Sequence, residues 1–351
     1  MSLLALEVEG LRCLKPAKLE LHSHVNLITG ANGAGKTSLL ESIYLLGRGR
    51  SFRTRHTERL IAHDAERLTV FGRTDEPTFP TIGYGYDRHT GLRARIAGRD
   101  AHSLTELSEA LPVQVMDPGI HRLVEEGPAY RRRWLDWGVF HVEPGCGPAW
   151  MEYARSLKQR NAALKRREDP SPWEPELERH GTVLSETRAR TLERLEPFWR
   201  QSLDALLGEP VTVGYYRGWA QERTLAETFA LQRTQDMERG TTGWGAHRFD
   251  VQLKIDGRIA REVLSRGQQK VLGAALALSM VRLVGSGGRR PPTLLLDDPA
   301  AELDRGHTDA LVAEIRTLKG QLVVTALRPE EANFGAPDKA FHVEHGRVTT
   351  L

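Results

Sequence analysis

The stretch that most constrains this chain is Gly30-Ala31-Asn32-Gly33-Ala34-Gly35-Lys36-Thr37-Ser38. It follows a short apolar run, Val25–Thr29, and precedes Leu39, Leu40, Ile43, Tyr44 and Leu46, which recur at helical spacing and stop at Gly47. A strand that turns through glycines into a helix brings backbone N–H groups together at a helix N-terminus, where the helix dipole also favours negative charge. Gly, four residues, then Gly-Lys-Thr is the spacing of a loop that cradles phosphate oxygens. On that reading residues 30–38 bind phosphate, Lys36 reaches the β- and γ-phosphates, and the Thr37 hydroxyl holds Mg²⁺. The alternative is an unliganded glycine turn. The strand before it and the helix after it argue against that.

The rest of the chain is read around this unit. Its 351 residues exceed one ordinary domain, and about 150 residues per domain gives two lobes. Leu4, Leu6 and Val8 alternate with Ala5, Glu7 and Glu9, and 67–73, 81–86 and 92–97 read as an antiparallel group. An apolar strand at Val113–Met116 ends at Asp117-Pro118, and a helix is expected near Pro128. Residues 148–206 are charge-rich and helical, but Pro170, Pro172 and Pro175 cut them into two arms, neither long enough for an extended coiled coil. Strands return at 211–216 and 249–255, the second closed by an Asp256-Gly257 turn. A parallel α/β rhythm follows: helix 265–284, strand 293–296, helix 304–318, strand 321–325 and a terminal hairpin around Gly346. The expected architecture is α/β: a mixed-sheet lobe I from 1–112 and 249–351, and an inserted, mainly helical lobe II over 113–248.

Two further motifs carry chemistry. Leu294-Leu295-Leu296-Asp297-Asp298 is an apolar strand ending in paired acids. Downstream of a phosphate loop, Asp297 suits Mg²⁺, usually through water, because that cation takes hard oxygen ligands. Asp298 is then placed to orient or deprotonate an attacking water. Leu264-Ser265-Arg266-Gly267-Gln268-Gln269-Lys270 opens a helix. Ser265 is a simple cap on one reading; on the other, its hydroxyl and the following amides are offered to a γ-phosphate.

Charge and cysteine content narrow the class. Lys plus Arg total 49 against 46 acids, a net of +3, which excludes a histone-like polycation and leaves room for a local basic strip. Arg48, Arg50, Arg53, Arg55 and Arg59 form such a strip, with Phe52 among them and only Glu58 opposing. It is either a solvated face or a nucleic-acid contact. Cys13 and Cys146 are too few for a disulfide framework or a thiolate metal site. Acids enter the first residues too soon for a signal peptide, and the apolar run 271–281 is short of the roughly 20 residues of a membrane span. A cytoplasmic protein with no membrane partner is expected.

The 264–270 segment resembles the signature of ABC-type ATPases, with Arg266 replacing the usual first Gly, and Glu302-Leu303-Asp304 resembles their D-loop. The finer pattern resembles the bacterial RecF family. It is carried by residues 30–38, Gly49-Arg50-Ser51-Phe52-Arg53, Gly127-Pro128-Ala129-Tyr130-Arg131-Arg132-Arg133-Trp134-Leu135-Asp136, Lys158-Gln159-Arg160-Asn161-Ala162-Ala163-Leu164 and Leu264 to Gln268. The resemblance implies a P-loop ABC-type ATPase head that binds ATP and Mg²⁺ and dimerises on ATP, with Ser265, Arg266, Gly267 and Gln268 completing the partner's site. It also implies a weak, DNA-stimulated ATPase that binds gapped DNA and single-strand/duplex junctions, and work with RecR and RecO to load RecA, supporting the SOS response.

Asp298 stands where most ABC-type ATPases carry Glu, and Ala326 replaces their switch His; both changes fit the RecF pattern. Gln114 is a candidate γ-phosphate sensor between lobes or a structural strand residue. Arg12 is a candidate contact to the adenine base or a solvated side chain. Asp304 belongs to the D-loop, Arg50 and Arg53 are candidate DNA contacts, and Arg131, Arg132 and Arg133 are expected to join the lobes. Rival readings lack support: a transporter nucleotide-binding subunit normally carries Glu at 298 and His at 326, a Rad50- or SMC-like head needs hundreds of residues of heptads, and a small-molecule kinase has no use for Ser265 to Gln268.

Overall fold

A computed structural model describes residues 1–351 apart from 289, 290, 300, 302 and 333. The chain divides into two compact units, Met1–Ile120 with Ala274–Leu351, and His121–Gly273.

The first unit contains two six-stranded sheets. One is antiparallel, in the order Ala17–Glu20, Leu3–Glu9, Arg67–Thr74, Thr81–Asp87, Gly91–Ile96, Arg99–Asp100. Along Arg67–Thr74 every second residue is buried, the period that one covered face demands. In Leu3–Glu9 a register shift between Leu3 and Ala5 buries Leu3 and leaves Leu4 half-buried, so the expected alternation holds only from Leu6 onward.

The second sheet runs Arg347–Thr350, Lys339–Glu344, Val25–Thr29, Leu322–Ala326, Thr293–Asp297, Val113–Met116, and is parallel throughout except at the terminal hairpin. Thr293–Asp297 and Leu322–Ala326 are buried at every residue, as strands covered on both faces must be. The helix Lys36–Arg48 packs on strands of both sheets. Ten of its 13 residues are buried, among them Leu39, Leu40, Ile43, Leu45 and Leu46.

In the second unit, helix Cys146–Arg166 packs along helix Glu174–Leu206. Arg167, left-handed at φ 58°, ends the first helix, and Pro170 precedes a short 3₁₀ turn, Ser171–Trp173. Pro175, expected to break the chain here, instead lies in the first turn of the 33-residue second helix, where its missing N–H costs nothing. Helix Leu225–Arg239 escapes a reading by apolar spacing, yet a capping box announces it: Thr224 accepts from the Glu227 amide at 3.1 Å and Glu227 from the Thr224 amide at 2.8 Å. At the centre the fully buried Arg160 bonds Glu174 at 3.0 Å, Asp236 at 2.7 Å and Thr242 at 2.8 Å, with its guanidinium carbon 4.6 Å from the Phe229 ring centre.

The boundaries differ from the expected 112/113 and 248/249. Val113–Met116 pairs in parallel with Thr293–Asp297 and belongs to the first unit, whereas Asp250–Ile255 pairs with Thr212–Tyr216 in the second. A short, mostly apolar segment states that it is a strand and not which strand it joins, because pairing is a non-local choice. The contacts of Arg131, Arg132 and Arg133 lie within one unit, where they were expected to join the lobes. Arg131 forks onto Asp250 at 2.9 and 3.0 Å, Arg132 donates to the Phe249 carbonyl at 3.1 Å, and Arg133 lies 5.3 Å from the Tyr130 ring centre, all inside the second unit. No helix among the described residues is long and apolar enough to cross a membrane.

Candidate active site

The phosphate loop leaves the C-terminal end of Val25–Thr29, a strand inside the parallel sheet. Gly30 has φ 150°, and a Cβ there would lie 2.2 Å from the Val343 carbonyl oxygen, so only glycine fits against that neighbouring strand. At the exposed tip, Gly33 has φ 79° and nothing within 4 Å of an added Cβ. The terminal hairpin braces the loop from beneath through Gly346 N–H to the Ala34 carbonyl at 2.9 Å. The first bond of the following helix runs from the Leu39 N–H to the Gly35 carbonyl, which leaves the amides of Lys36, Thr37 and Ser38 outside the helical ladder. Lys36 folds back over the loop and donates to the carbonyls of Gly30 at 2.6 Å and Ala31 at 3.1 Å.

Asp297 ends the buried strand Thr293–Asp297, and the Thr37 hydroxyl lies 3.0 Å from each of its carboxylate oxygens. Residues 260 apart in sequence thus present two hard oxygen donors at one point beside the loop amides. That donor set fits Mg²⁺. Burial pushes the Asp297 carboxyl up, with Asp117 and Asp298 adding to the effect, against hydrogen bonds from Thr325 and Thr37. Asp298 is half-buried with φ 50°, an unusual conformation for a residue with a side chain.

Thr325 and Asp117 escape a reading by motif. The Thr325 hydroxyl donates to Asp297 Oδ1 at 2.9 Å and accepts the Asp298 N–H at 3.0 Å, so it orients both acids. Its only sequence signal is a polar residue at the end of an apolar strand. Asp117 follows the strand whose Met116 pairs with Leu296, which sets it beside Asp297 at the ends of adjacent strands. Ala326, in the place of the switch His, is buried at the end of its strand.

Gln114 sits on that same edge strand, opposite Leu294, and its amide makes a long 3.4 Å contact to the Val115 carbonyl. Arg12 is left-handed at φ 50°, and its guanidinium clasps Glu41, a fully buried carboxylate on the phosphate-loop helix. Arg50, Arg53, Arg55 and Arg59 are exposed. Arg48 departs from them: it is half-buried 5.9 Å from the Tyr44 ring centre, and burial lowers its guanidinium below the ordinary arginine range.

In the second unit Ser265 caps helix Arg266–Val284. Its N–H donates to Gln268 Oε1 at 3.0 Å, and the Gln268 N–H donates to its hydroxyl at 3.3 Å. Ser265, Arg266 and Gly267 are exposed, and Gly267 has nothing within 4 Å of an added Cβ. The cap therefore leaves a helix N-terminus open to solvent. Asp304 caps helix Arg305–Arg316 by accepting the His307 N–H at 2.9 Å. Glu302 of the same motif lies outside the described residues.

The model of the RecF/RecN/SMC N terminal domain matches residues 2–349. A DNA replication and repair protein RecF from Pseudomonas fluorescens is 37% identical over 99% of this chain and 98% of its own length. One from Stutzerimonas stutzeri is 37% identical over 100% and 98%. Among solved structures, the recombination mediator protein RecF with ATP, in the RecFOR pathway, superposes with a TM-score of 0.89 at 26% identity, covering 100% of this chain and 97% of that one. An Smc head bound to the C-winged helix domain of ScpA shares the fold at TM-score 0.62 and 16% identity, covering 100% and 98%. The fold is that of an ABC-type ATPase head, and with relatives at this identity along the whole chain the protein belongs to the RecF family of DNA replication and repair proteins.

Proposed function

We propose that this protein is an ATP-controlled DNA-binding switch of recombinational repair. The observation that carries the reading is the meeting of Thr37 and Asp297 beside a glycine-built loop. Residues 30–38 would hold the ATP phosphates, with Thr37 and Asp297 holding Mg²⁺, which supplies charge neutralisation at the β- and γ-phosphates when bound. Lys36 gives up its two carbonyl partners and turns to the phosphates. Asp298, held by Thr325, orients or deprotonates the attacking water, directly or through a second water.

The exposed Ser265 cap is the face offered to a partner's γ-phosphate, so ATP drives dimerisation. The exposed arginines at 50, 53, 55 and 59 are the DNA-facing strip, which a dimer presents twice. The RecF resemblance supports gapped DNA and junctions as targets, slow DNA-stimulated hydrolysis as the reset, and RecR, RecO and RecA as the partners through which the protein serves the SOS response in the cytoplasm. In the dimer reading Gln114 senses the γ-phosphate and Asp304 lies at the partner contact. Light scattering with ATP and with ADP tests the core of the proposal. ATP alone should dimerise the protein, and Ser265→Arg should bind ATP yet stay monomeric. An unchanged dimer in that variant refutes the sandwich arrangement.

A further inference from the structure

We infer that Glu41 is a positioning residue that holds the exposed arginine loop in a set relation to the phosphate-loop helix. The inference rests on the reading of Arg50 and Arg53 as DNA contacts. Glu41 follows Lys36 by five residues on the same helix and is wholly buried. A buried carboxylate is weak evidence for stability, since well-packed apolar residues often serve as well in its place. Its partners are more informative. Arg12, in the turn after the first strand, donates through Nε to Oε2 and through a terminal nitrogen to Oε1, the latter at 3.0 Å. The Ser51 hydroxyl, beyond the other end of the helix, donates to Oε1 as well.

Ser51 has one hydroxyl proton, and giving it to Glu41 turns the oxygen lone pairs toward the chain that follows. There they accept the N–H groups of Arg53 at 2.9 Å and Thr54 at 3.0 Å, a local turn that directs the backbone of the arginine loop. The far end of the loop is tied to the segment that carries Arg12. The Arg12 N–H donates to the Leu60 carbonyl at 2.7 Å, and the Ala62 N–H to the Gly10 carbonyl at 2.8 Å. One carboxylate therefore anchors the loop at Ser51 directly and at Leu60 through Arg12. The exposed arginines project from a frame fixed to the helix that begins at the phosphate loop.

The test uses the full chain as wild type, Ser51→Ala, Ser51→Thr, Glu41→Gln and the double variant Arg50→Ala/Arg53→Ala. Duplex-DNA affinity with ATP is measured at several salt concentrations, ATP affinity is measured separately, and tryptic cleavage at 50–55 is followed without DNA. Ser51→Ala and Glu41→Gln should hasten cleavage at the loop, keep ATP affinity within about threefold, and lower the salt slope by about one unit or more, as lost phosphate contacts do. Ser51→Thr restores the hydroxyl and should restore all three readouts. Ser51→Ala needs no buried charge left unpaired, so it stands even if Glu41→Gln folds poorly. Wild-type cleavage and a wild-type slope in Ser51→Ala, while the double arginine variant flattens the slope, overturns the inference. An unchanged slope in the double variant instead refutes the DNA reading of the loop, and faster cleavage in Ser51→Ala then still supports the clamp.

Discussion

Replacing Thr325 by Val removes one hydroxyl from the floor of the site and almost nothing else, because the two side chains have nearly the same shape. Thr325 is fully buried, and its single proton goes to Asp297 Oδ1 at 2.9 Å in preference to the Leu296 carbonyl at 3.4 Å. A hydrogen bond to a charged group contributes about 1.5–3 kcal/mol. The same oxygen accepts the Asp298 N–H at 3.0 Å, a neutral bond worth about 0.5–1.5 kcal/mol. The variant should thus lose about 2–4.5 kcal/mol, read as a fall in the urea midpoint of the first unit. The loss should be larger in catalysis than in binding. Asp298 is held in a left-handed conformation with φ 50°, and Thr325 is the partner of its amide among the described residues. We expect kcat to fall by about tenfold or more while KM for ATP moves far less, since the loop that binds phosphate is untouched. Thr325→Ser keeps the hydroxyl and should retain most of the rate. A Val variant with wild-type kcat and an unchanged urea midpoint would falsify the role given to this residue.

Four further variants test the same structure. Lys36→Met should lose most ATP affinity, whereas Asp298→Asn should bind ATP and lose hydrolysis by roughly 10²–10⁴-fold, trapping the ATP-bound dimer; wild-type turnover in the latter assigns the water to another group. Arg160→Met leaves Glu174 and Asp236 buried without their shared cation and should destabilise the second unit by about 3–5 kcal/mol in denaturant titration; a change below 1 kcal/mol, on the order of one exposed ion pair, contradicts the account of that core. His247 is half-buried and neutral at pH 7, its Nδ1 2.9 Å from the Tyr153 hydroxyl and its Nε2 3.2 Å from the Thr242 carbonyl, and desolvation, with nearby Arg248, Arg132 and Arg160, lowers its pKa from 6.5 to about 4. The unfolded chain therefore binds a proton first as pH falls. The stabilisation is complete above pH 6.5 and declines by about 3 kcal/mol in all as pH drops to about 4, a slope that His247→Gln should flatten in urea midpoints taken across that range.

Much of the site was legible because its chemistry is local. The phosphate loop needs glycines at fixed offsets from a lysine, all within one turn between a strand and a helix, and Gly30 stands where a Cβ would strike the Val343 carbonyl. Ser265 and Gln268 are likewise a cap within one helical turn. The arginine-bearing stretches of the second unit carry no such local signal. Their arginines proved to hold it together internally: Arg131 on Asp250, Arg160 on Asp236, Arg188 on Asp136 at 2.8 Å. A residue type announces a charge and says nothing of which distant acid will meet it.

What the sequence by itself determined was therefore the set of short-range units: the strand-loop-helix around Lys36, the apolar strand ending in Asp297 and Asp298, the helix start at Ser265, and an antiparallel group read from its period of two. Each is dictated by backbone stereochemistry and side-chain spacing over a few residues. Only the tertiary structure decided which strands became neighbours, placing Val113–Met116 beside Thr293–Asp297 and Asp250–Ile255 beside Thr212–Tyr216. The same choice brought Thr325 under both acids and Glu41 between Arg12 and Ser51. The physical reason is that strand pairing and buried ion contacts are selected by packing between segments far apart in the chain, where many pairings satisfy local rules and only the assembled core distinguishes among them.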